Sequence, residues 1–242
     1  MTGIYLYGIV EFPPELSREI RGLGGSPVSL VPRADLAAVV SRSLLNPWPL
    51  DEAHLTLHET VVEEVMGDRP ILPVRFNTFL RAKEAVIALL DERAQVFRSA
   101  LERVEGKVEM GLRVLWEAPG KSEVSVNQET GDGNPGTEYL HRRLREERRR
   151  AGIRAVGERV IQEVQTLFHS LAVESWLRRL PTDRLLFTGA YLVEPYRVAA
   201  FREGVAKAQQ EFSYLRFLLT GPWPPYHFVN GAHDETEDTL GA

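Results

Sequence analysis

The sequence has no cysteine, which removes disulfides, thiolate nucleophiles and cysteine-ligated zinc together. It also lacks a long apolar run. The two strongest, Ile4 to Val10 and Leu185 to Val193, fall far short of the roughly 20 residues a bilayer-spanning helix needs. The amino terminus, Met1-Thr2-Gly3-Ile4-Tyr5-Leu6-Tyr7-Gly8, carries neither the basic flank nor the extended apolar stretch of a secretory signal. A soluble, cytoplasmic chain is expected. Nor is there an excess of positive charge. Twenty-nine Lys and Arg against 34 Asp and Glu leave a net charge of −5, so nothing draws the whole chain to phosphate backbones or anionic lipid.

What is present is the composition of a globular chain, 43% hydrophobic and 26% charged, with ample material for a core. Ile4 to Val10 is rich in β-branched and aromatic residues and reads as a buried strand. Pro13 and Pro14 open a short helix, Glu15 to Leu23, which Gly22, Gly24 and Gly25 stop. Val28 to Val31 and Ala37 to Val40 flank Pro32-Arg33-Ala34-Asp35 and suggest a hairpin, although the second run can also begin as helix. Asp51 is placed to cap a helix over Glu52 to Met66, with Leu55, Val62, Val65 and Met66 near one face. Pro70 to Leu80 reads as a strand and Ala82 to Val104 as one long helix, with Val86, Leu89, Leu90, Phe97 and Leu101 as its apolar stripe.

Val108 to Trp116 is a further strand. Pro119 to Thr137 collects turn formers and is expected to be a mobile, dispensable loop. Glu138 to Leu180 reads as one long helix or two abutting ones, with Val156, Val160, Val164, Leu167 and Leu171 at amphipathic spacing. Leu185 to Val193 is a strand, Arg197 to Tyr214 a helix, and Leu215 to Leu219 a strand, with another possible at Tyr226 to Val229. Few helices of uneven length, interrupted by a hairpin, point to an α+β fold of two small domains rather than a doubly wound sheet. The expected division is 1–106, then 107–232 as a ferredoxin-like sandwich, then an acidic flexible tail over 233–242.

No constellation of catalytic residues stands out. His54 and His58 share a helical face, but Leu55 stands where a metalloprotease helix carries glutamate, and a structural role is the better reading. Gly22-Leu23-Gly24-Gly25 follows a predicted helix rather than a strand, and no Lys-Ser/Thr pair completes a phosphate loop. No serine sits in a nucleophile elbow. The basic run Arg142 to Arg150 is interspersed with Glu146 and Glu147 and lacks stacking aromatics, as a solvated helix face would. No enzyme activity, cofactor or metal is expected.

Two segments are unusual. In Pro70 to Phe79, strand alternation sets Arg75 opposite Val74 and Phe76. An arginine among core residues needs a carboxylate, and Glu59 or Glu63 from the preceding helix is the expected partner. In Thr220 to Val229, three prolines stiffen the backbone around Trp223, Tyr226 and Phe228. Arg75, Phe76, Trp223, Tyr226 and Phe228 are therefore candidates for partner binding or for packing between the two halves.

Taken in order, Tyr5-Leu6-Tyr7-Gly8-Ile9-Val10, His58-Glu59-Thr60-Val61-Val62-Glu63-Glu64-Val65, Leu72-Pro73-Val74-Arg75-Phe76, Ala190-Tyr191-Leu192-Val193 and Leu219-Thr220-Gly221-Pro222-Trp223-Pro224-Pro225-Tyr226-His227-Phe228 resemble the gas vesicle GvpL/GvpF family. Asn77 departs from the glycine usual after Arg-Phe, and asparagine tolerates left-handed backbone angles. The resemblance implies two α+β domains, the second a modified ferredoxin-like one. It also implies a non-catalytic accessory role in gas vesicle formation, with the main shell protein and other gas vesicle accessory proteins as partners. Nucleic acid and membrane are not expected partners. The alternative is a ferredoxin-like ligand-binding or regulatory protein, which would show a closed pocket with convergent polar groups.

Overall fold

The strand β1, Thr2–Glu11, is the centre of the first sheet, and its sequence shows why. A strand paired on both edges and covered on both faces must be apolar throughout, and Tyr5 to Val10 are all buried. The computed structural model describes residues 2–13, 16–117, 135–179 and 185–229. The expected tail over 233–242 and most of the expected loop over 119–137 lie outside the described residues.

Strands β2 (Val28–Arg33) and β3 (Leu36–Leu44) form the expected hairpin, the second run being strand rather than helix. Ala34 takes the positive φ of its tight turn. The sheet order is β2-β3-β1-β4, all pairings antiparallel, and β5 also joins β1. Here β4 is Ile71–Pro73 and β5 is Phe79–Leu80. The register of β1 against β3 slips between Leu6 and Gly8. A side chain at Gly8 would collide with the Leu72 carbonyl at 2.6 Å, so this bulge needs glycine.

The helix α1, Glu52–Met66, begins as the sequence predicts, with the Asp51 side chain accepting from the His54 amide. It packs on β1 and β4, adding Val61, Val62 and Val65 to a core with Tyr5, Tyr7, Val10, Ala37 and Val39. Helix α2 (Lys83–Glu92) touches β2 and β3, and α3 (Ala94–Val104) touches β1 and β4 as α1 does.

Three expectations are corrected in this region. Ser17 to Gly22 is not helical; a β-bridge between Arg21 and Pro27 holds the chain open, followed by a short 3-10 turn over Leu23–Gly25. The strand over Pro70 to Leu80 is two short strands separated by an irregular turn, because Asn77 sits at φ +67°. The helix over Ala82 to Val104 breaks at Arg93, whose ψ of 15° leaves the helical region. That break lets two short helices each follow the twisted sheet, and Val86, Leu90, Phe97 and Leu101 still reach the core.

The chain divides into two compact units: residues 1–110 with 192–195 and the stretch from Gly221, and residues 111–191 with 196–220. The second sheet runs β7-β8-β6-β9, with β6 at Val108–Trp116, β7 at Glu174–Arg179, β8 at Leu185–Val193 and β9 at Leu215–Trp223. Helices α4 (Pro135–His169) and α5 (Val198–Glu211) join these strands. Phe168 from α4, Phe201 from α5 and Tyr191 from β8 stack with centroids 4.8–5.6 Å apart.

The strand β7 replaces the last part of the helix expected to reach Leu180, because α4 stops at His169. Of the expected stripe, Val160 and Val164 are buried, Phe168 takes the place given to Leu167, and the Val156 side chain lies outside the described residues. The arginines at 142, 143, 145 and 148 are exposed, with Arg143 paired to Glu147. Contrary to expectation, β9 runs through Pro222 to Trp223, which an outermost strand tolerates because one edge needs no ladder. Tyr226–Phe228 is a 3-10 turn instead of a strand.

Candidate functional site

The strand-forming tyrosines of β1 carry hydroxyls into the first unit's core, and a buried hydroxyl must find partners. Tyr5 accepts a hydrogen bond from the Asn77 amide at 2.9 Å and lies 3.0 Å from His58 Nδ1. With the Asn77 proton already pointing at its oxygen, Tyr5 donates its own to Nδ1. The other ring nitrogen, Nε2, then carries hydrogen and donates to the Val74 carbonyl at 3.2 Å. Tyr7 is held by Ser41 at 3.1 Å and by the Leu23 amide at 2.9 Å, and its ring stacks on His58 at 5.5 Å. Burial pushes both phenols above their ordinary range. The same burial brings the His58 pKa down to about 4, so the imidazole is neutral.

This closed network ties β1, α1 and the 74–78 turn together. Neither nitrogen of His58 is open to a ligand, and His54 is engaged by its own cap, Asp51, at 2.6 Å. The two histidines that share a helical face in sequence thus do separate structural jobs. Sequence reasoning gave His58 a structural role but did not place it in the core, where it is buried. Its spacing from Val61, Val62 and Val65 on α1 was the available signal.

The network positions a surface. Asn77 reaches across to the 46–50 loop, its Oδ1 accepting from the Trp48 amide at 2.9 Å and its Nδ2 donating to the Trp48 carbonyl at 3.0 Å. Beside that loop lies a cavity of about 460 Å³ lined by Leu23, Gly24, Leu44, Pro47, Trp48 and Pro49 among others. Leu44 in its wall is 63% exposed, and Leu50, just after it in the chain, 79%. An Asn77→Ala variant is expected to lose about 2–4 kcal/mol, from the left-handed backbone angle and two missing hydrogen bonds. Asn77→Gly keeps the angle and is expected to lose about half as much; chemical denaturation of both variants checks the order.

The five residues singled out from the sequence separate into two groups. Arg75 is exposed, which corrects the expectation of a buried ion pair: it falls in the turn after β4, where strand alternation no longer applies. The carboxylates of Glu59 and Glu63 instead act on the phenol of Tyr226, which burial, first, and these charges, second, push upward. Phe76 is half-buried against His58 and Tyr5, at 5.8 and 6.4 Å. Phe228 is fully buried, and Arg103 donates to its carbonyl at 3.4 Å. His227 is fastened to the buried Glu109 by its amide at 2.9 Å and its Nδ1 at 2.6 Å. Gly221 has φ +102°, and any side chain there would meet the Glu109 carbonyl at 2.7 Å. Trp223 is 39% exposed. Phe76, Tyr226 and Phe228 therefore hold the first unit together, while Arg75 and Trp223 present themselves to solvent.

Among the described residues, no group of three or more acidic or histidine side chains converges as a metal site, and no helix is long and apolar enough to cross a membrane. The family model described as "Gas vesicle synthesis protein GvpL/GvpF" matches residues 3–230. The chain belongs to the GvpL/GvpF family. Gas vesicle protein L of a Streptomyces species is 29% identical over 262 residues, covering 98% of this chain and 97% of its own. Gas vesicle protein F of the same source is 31% identical over 244 residues, covering 93% and 98%. Gas vesicle protein F1 of Halobacterium salinarum is 27% identical over 232 residues, covering 94% and 92%. The crystal structure of GvpF from Anabaena sp. PCC7120 superposes with a TM-score of 0.80 at 22% identity, covering 96% of this chain and all of that one. GvpF from Microcystis aeruginosa gives 0.77 at 22% identity, covering 94% and 99%. These neighbours share the mixed α+β fold with its antiparallel sheet pairing. As a GvpL/GvpF member the chain has an accessory role in gas vesicles.

Proposed function

We propose that this protein is a non-catalytic assembly factor that engages the main gas vesicle shell protein, together with other gas vesicle accessory proteins, in the cytoplasm. The observation that carries the reading is the match to the family model over residues 3–230. The geometry supports it: the buried polar groups around His58 in the first unit bond to one another, while Leu44 and Trp48 line the wall of a cavity and Leu50, next to its lining residue Pro49 in the chain, is exposed. Exposed apolar surface of this kind marks an interaction site on a soluble protein. A shell subunit that lines a gas space must itself be apolar, and covering such surface until the subunit is placed is work suited to these residues. The exposed Arg75 and Trp223 are further contact candidates. We also read the β-α-β-β-α-β order of the second sheet, β7-β8-β6-β9, as a ferredoxin-like sandwich, and the two units as domains.

The test is capture of purified shell subunit by the wild-type chain and by a Leu44→Asp/Leu50→Asp pair. Both positions are exposed, so the fold is expected to survive with a melting temperature within a few degrees. Capture by the wild type and a tenfold or greater loss in the double variant is the expected result. Failure of the wild type to capture the subunit would remove the proposal.

A further inference from the structure

Strands β6 and β9 of the second unit are neighbours and antiparallel. The Glu117 amide donates to the Tyr214 carbonyl at 3.1 Å, and the Thr220 hydroxyl donates to the Gly111 carbonyl at 3.4 Å. Both contacts belong to one register, which sets Arg113 opposite Leu218 and Leu115 opposite Arg216. Opposed residues share a face of the sheet, and alternate residues take the other. One face carries Leu112, Val114, Leu215 and Phe217, all buried, with the Phe217 ring 6.4 Å from that of Phe212 at the end of α5. The other carries Arg113, Leu115, Arg216, Leu218 and Thr220. Leu115 is half-buried and the remaining four are exposed.

The edge of β9 is closed to strand pairing. Gln209 of α5 donates to the Leu215 carbonyl at 2.7 Å and accepts from the Phe217 amide at 2.9 Å, and Pro222 removes a further donor. What β9 offers to a partner is therefore its uncovered face. That face is cationic around an apolar centre. Arg113 and Arg216 are diagonal neighbours, about 7–8 Å apart at the backbone, and Leu115 and Leu218 occupy the crossing diagonal. Neither guanidinium has an ion-pair or hydrogen-bond partner among the described residues, Glu117 further along β6 included.

The chain itself carries the complement. On α1, Glu52, Glu59 and Glu63 stand in one line along the helix, and all three are exposed. Glu59 and Glu63 are one turn apart, about 6 Å, and Leu55 lies half-buried one turn before Glu59. Among the described residues no cation pairs with Glu59 or Glu63. Burial first, and then these two charges, push the Tyr226 phenol upward. The first unit as a whole has more acidic than basic residues, and the second more basic than acidic.

We propose that the β6–β9 face of one molecule docks on α1 of a second copy, Glu59 and Glu63 pairing with Arg113 and Arg216 around Leu115 and Leu218. One helical turn and one sheet diagonal differ by little, and the long arginine side chains take up the difference. Because the two patches are unlike, the contact can be repeated from copy to copy. It goes beyond the assembly role and is separate from Leu44, Leu50 and the cavity beside them.

Exposed ion pairs are individually weak and screened by salt, so association is expected at low salt and roughly 100 μM protein or more. Sedimentation velocity of the full chain should show the average mass rising about twofold or more at about 0.05 M salt, and remaining that of the single chain at about 0.5 M. Arg113→Glu/Arg216→Glu and Glu59→Arg/Glu63→Arg should each stay single, because each sets like charges against one another. Mixed in equal amounts they should associate again, since every meeting of the two kinds joins opposite charges. All four positions are exposed, so circular dichroism should show both variants folded. Should either pair unfold, Arg216→Glu and Glu63→Arg alone take its place. Leu44→Asp/Leu50→Asp should associate as the wild type does. A wild-type chain that stays single at low salt, a mixture that does not recover, or a loss of association in the Leu44/Leu50 variant would each overturn the proposal. None of these outcomes bears on capture of the shell subunit, which tests the assembly role by itself.

Discussion

Lowering the pH from 7.5 to 4 is expected to cost the first unit about 3 kcal/mol through His58 alone. The imidazole titrates near 6.5 in an unfolded chain and at about 4 in the folded one, chiefly because burial disfavours its charged form. Between those two values the unfolded chain binds the extra proton, so stability falls as the pH falls. The contribution is complete above about pH 6.5 and is lost progressively toward pH 4, at about 1.4 kcal/mol for each pH unit between the two values. The hydrogen-bond network gives the same sign. A proton on Nδ1 would point at the Tyr5 oxygen, which already receives the Asn77 amide, and the Tyr5 hydrogen would lose its acceptor. Tyr5, Tyr7 and Phe76 are the rings around the imidazole, and none offers a negative charge to offset protonation. Urea denaturation of wild type and His58→Phe at pH 7.5, 6, 5 and 4 checks this. The stability difference between them should shrink by about 3 kcal/mol across the series; a constant difference would refute the role assigned to His58.

Phe168→Ala is expected to destabilise the second unit by about 3–5 kcal/mol. The ring is fully buried and touches both Phe201 and Tyr191, so its removal leaves a cavity that three separate elements cannot collapse into. Thermal or chemical unfolding monitored by circular dichroism measures the loss. A cost below about 1.5 kcal/mol would mean that α4 and α5 repack freely.

Much of the fold was legible because it rests on local patterns. The continuous apolar run from Ile4 to Val10 can be stable only as a strand covered on both sides, and it is the central strand. Asp51 before an amphipathic run defines the start of α1 through its own side-chain oxygen. β6 and β8 have the bounds that their apolar runs predict. The family resemblance was legible for a different reason: turns and bulges that need particular residues, such as Gly8 and Gly221, leave their spacing in the chain.

What local pattern could not decide was where a backbone departs from its own preference to satisfy a distant group. Asn77 turns left-handed and splits the expected strand because its side chain grips Trp48 on another loop and its amide binds Tyr5. That split carries Arg75 out to solvent, which no reading of strand alternation could foresee. A structural role for His58 is legible in the sequence, but its partners are not: Tyr5 and the Val74 carbonyl arrive from other elements to hold its two nitrogens. Residues 174–179 look helical by continuation and become an edge strand because β8 lies beside them. The sequence by itself determined most of the strand and helix inventory, the absence of thiol chemistry and the family. Tertiary contact decided which polar groups were neutralised inside and which apolar ones, Leu44, Leu50 and Trp223, were left facing water, because a hydrogen bond between distant residues has no signature in the spacing along the chain.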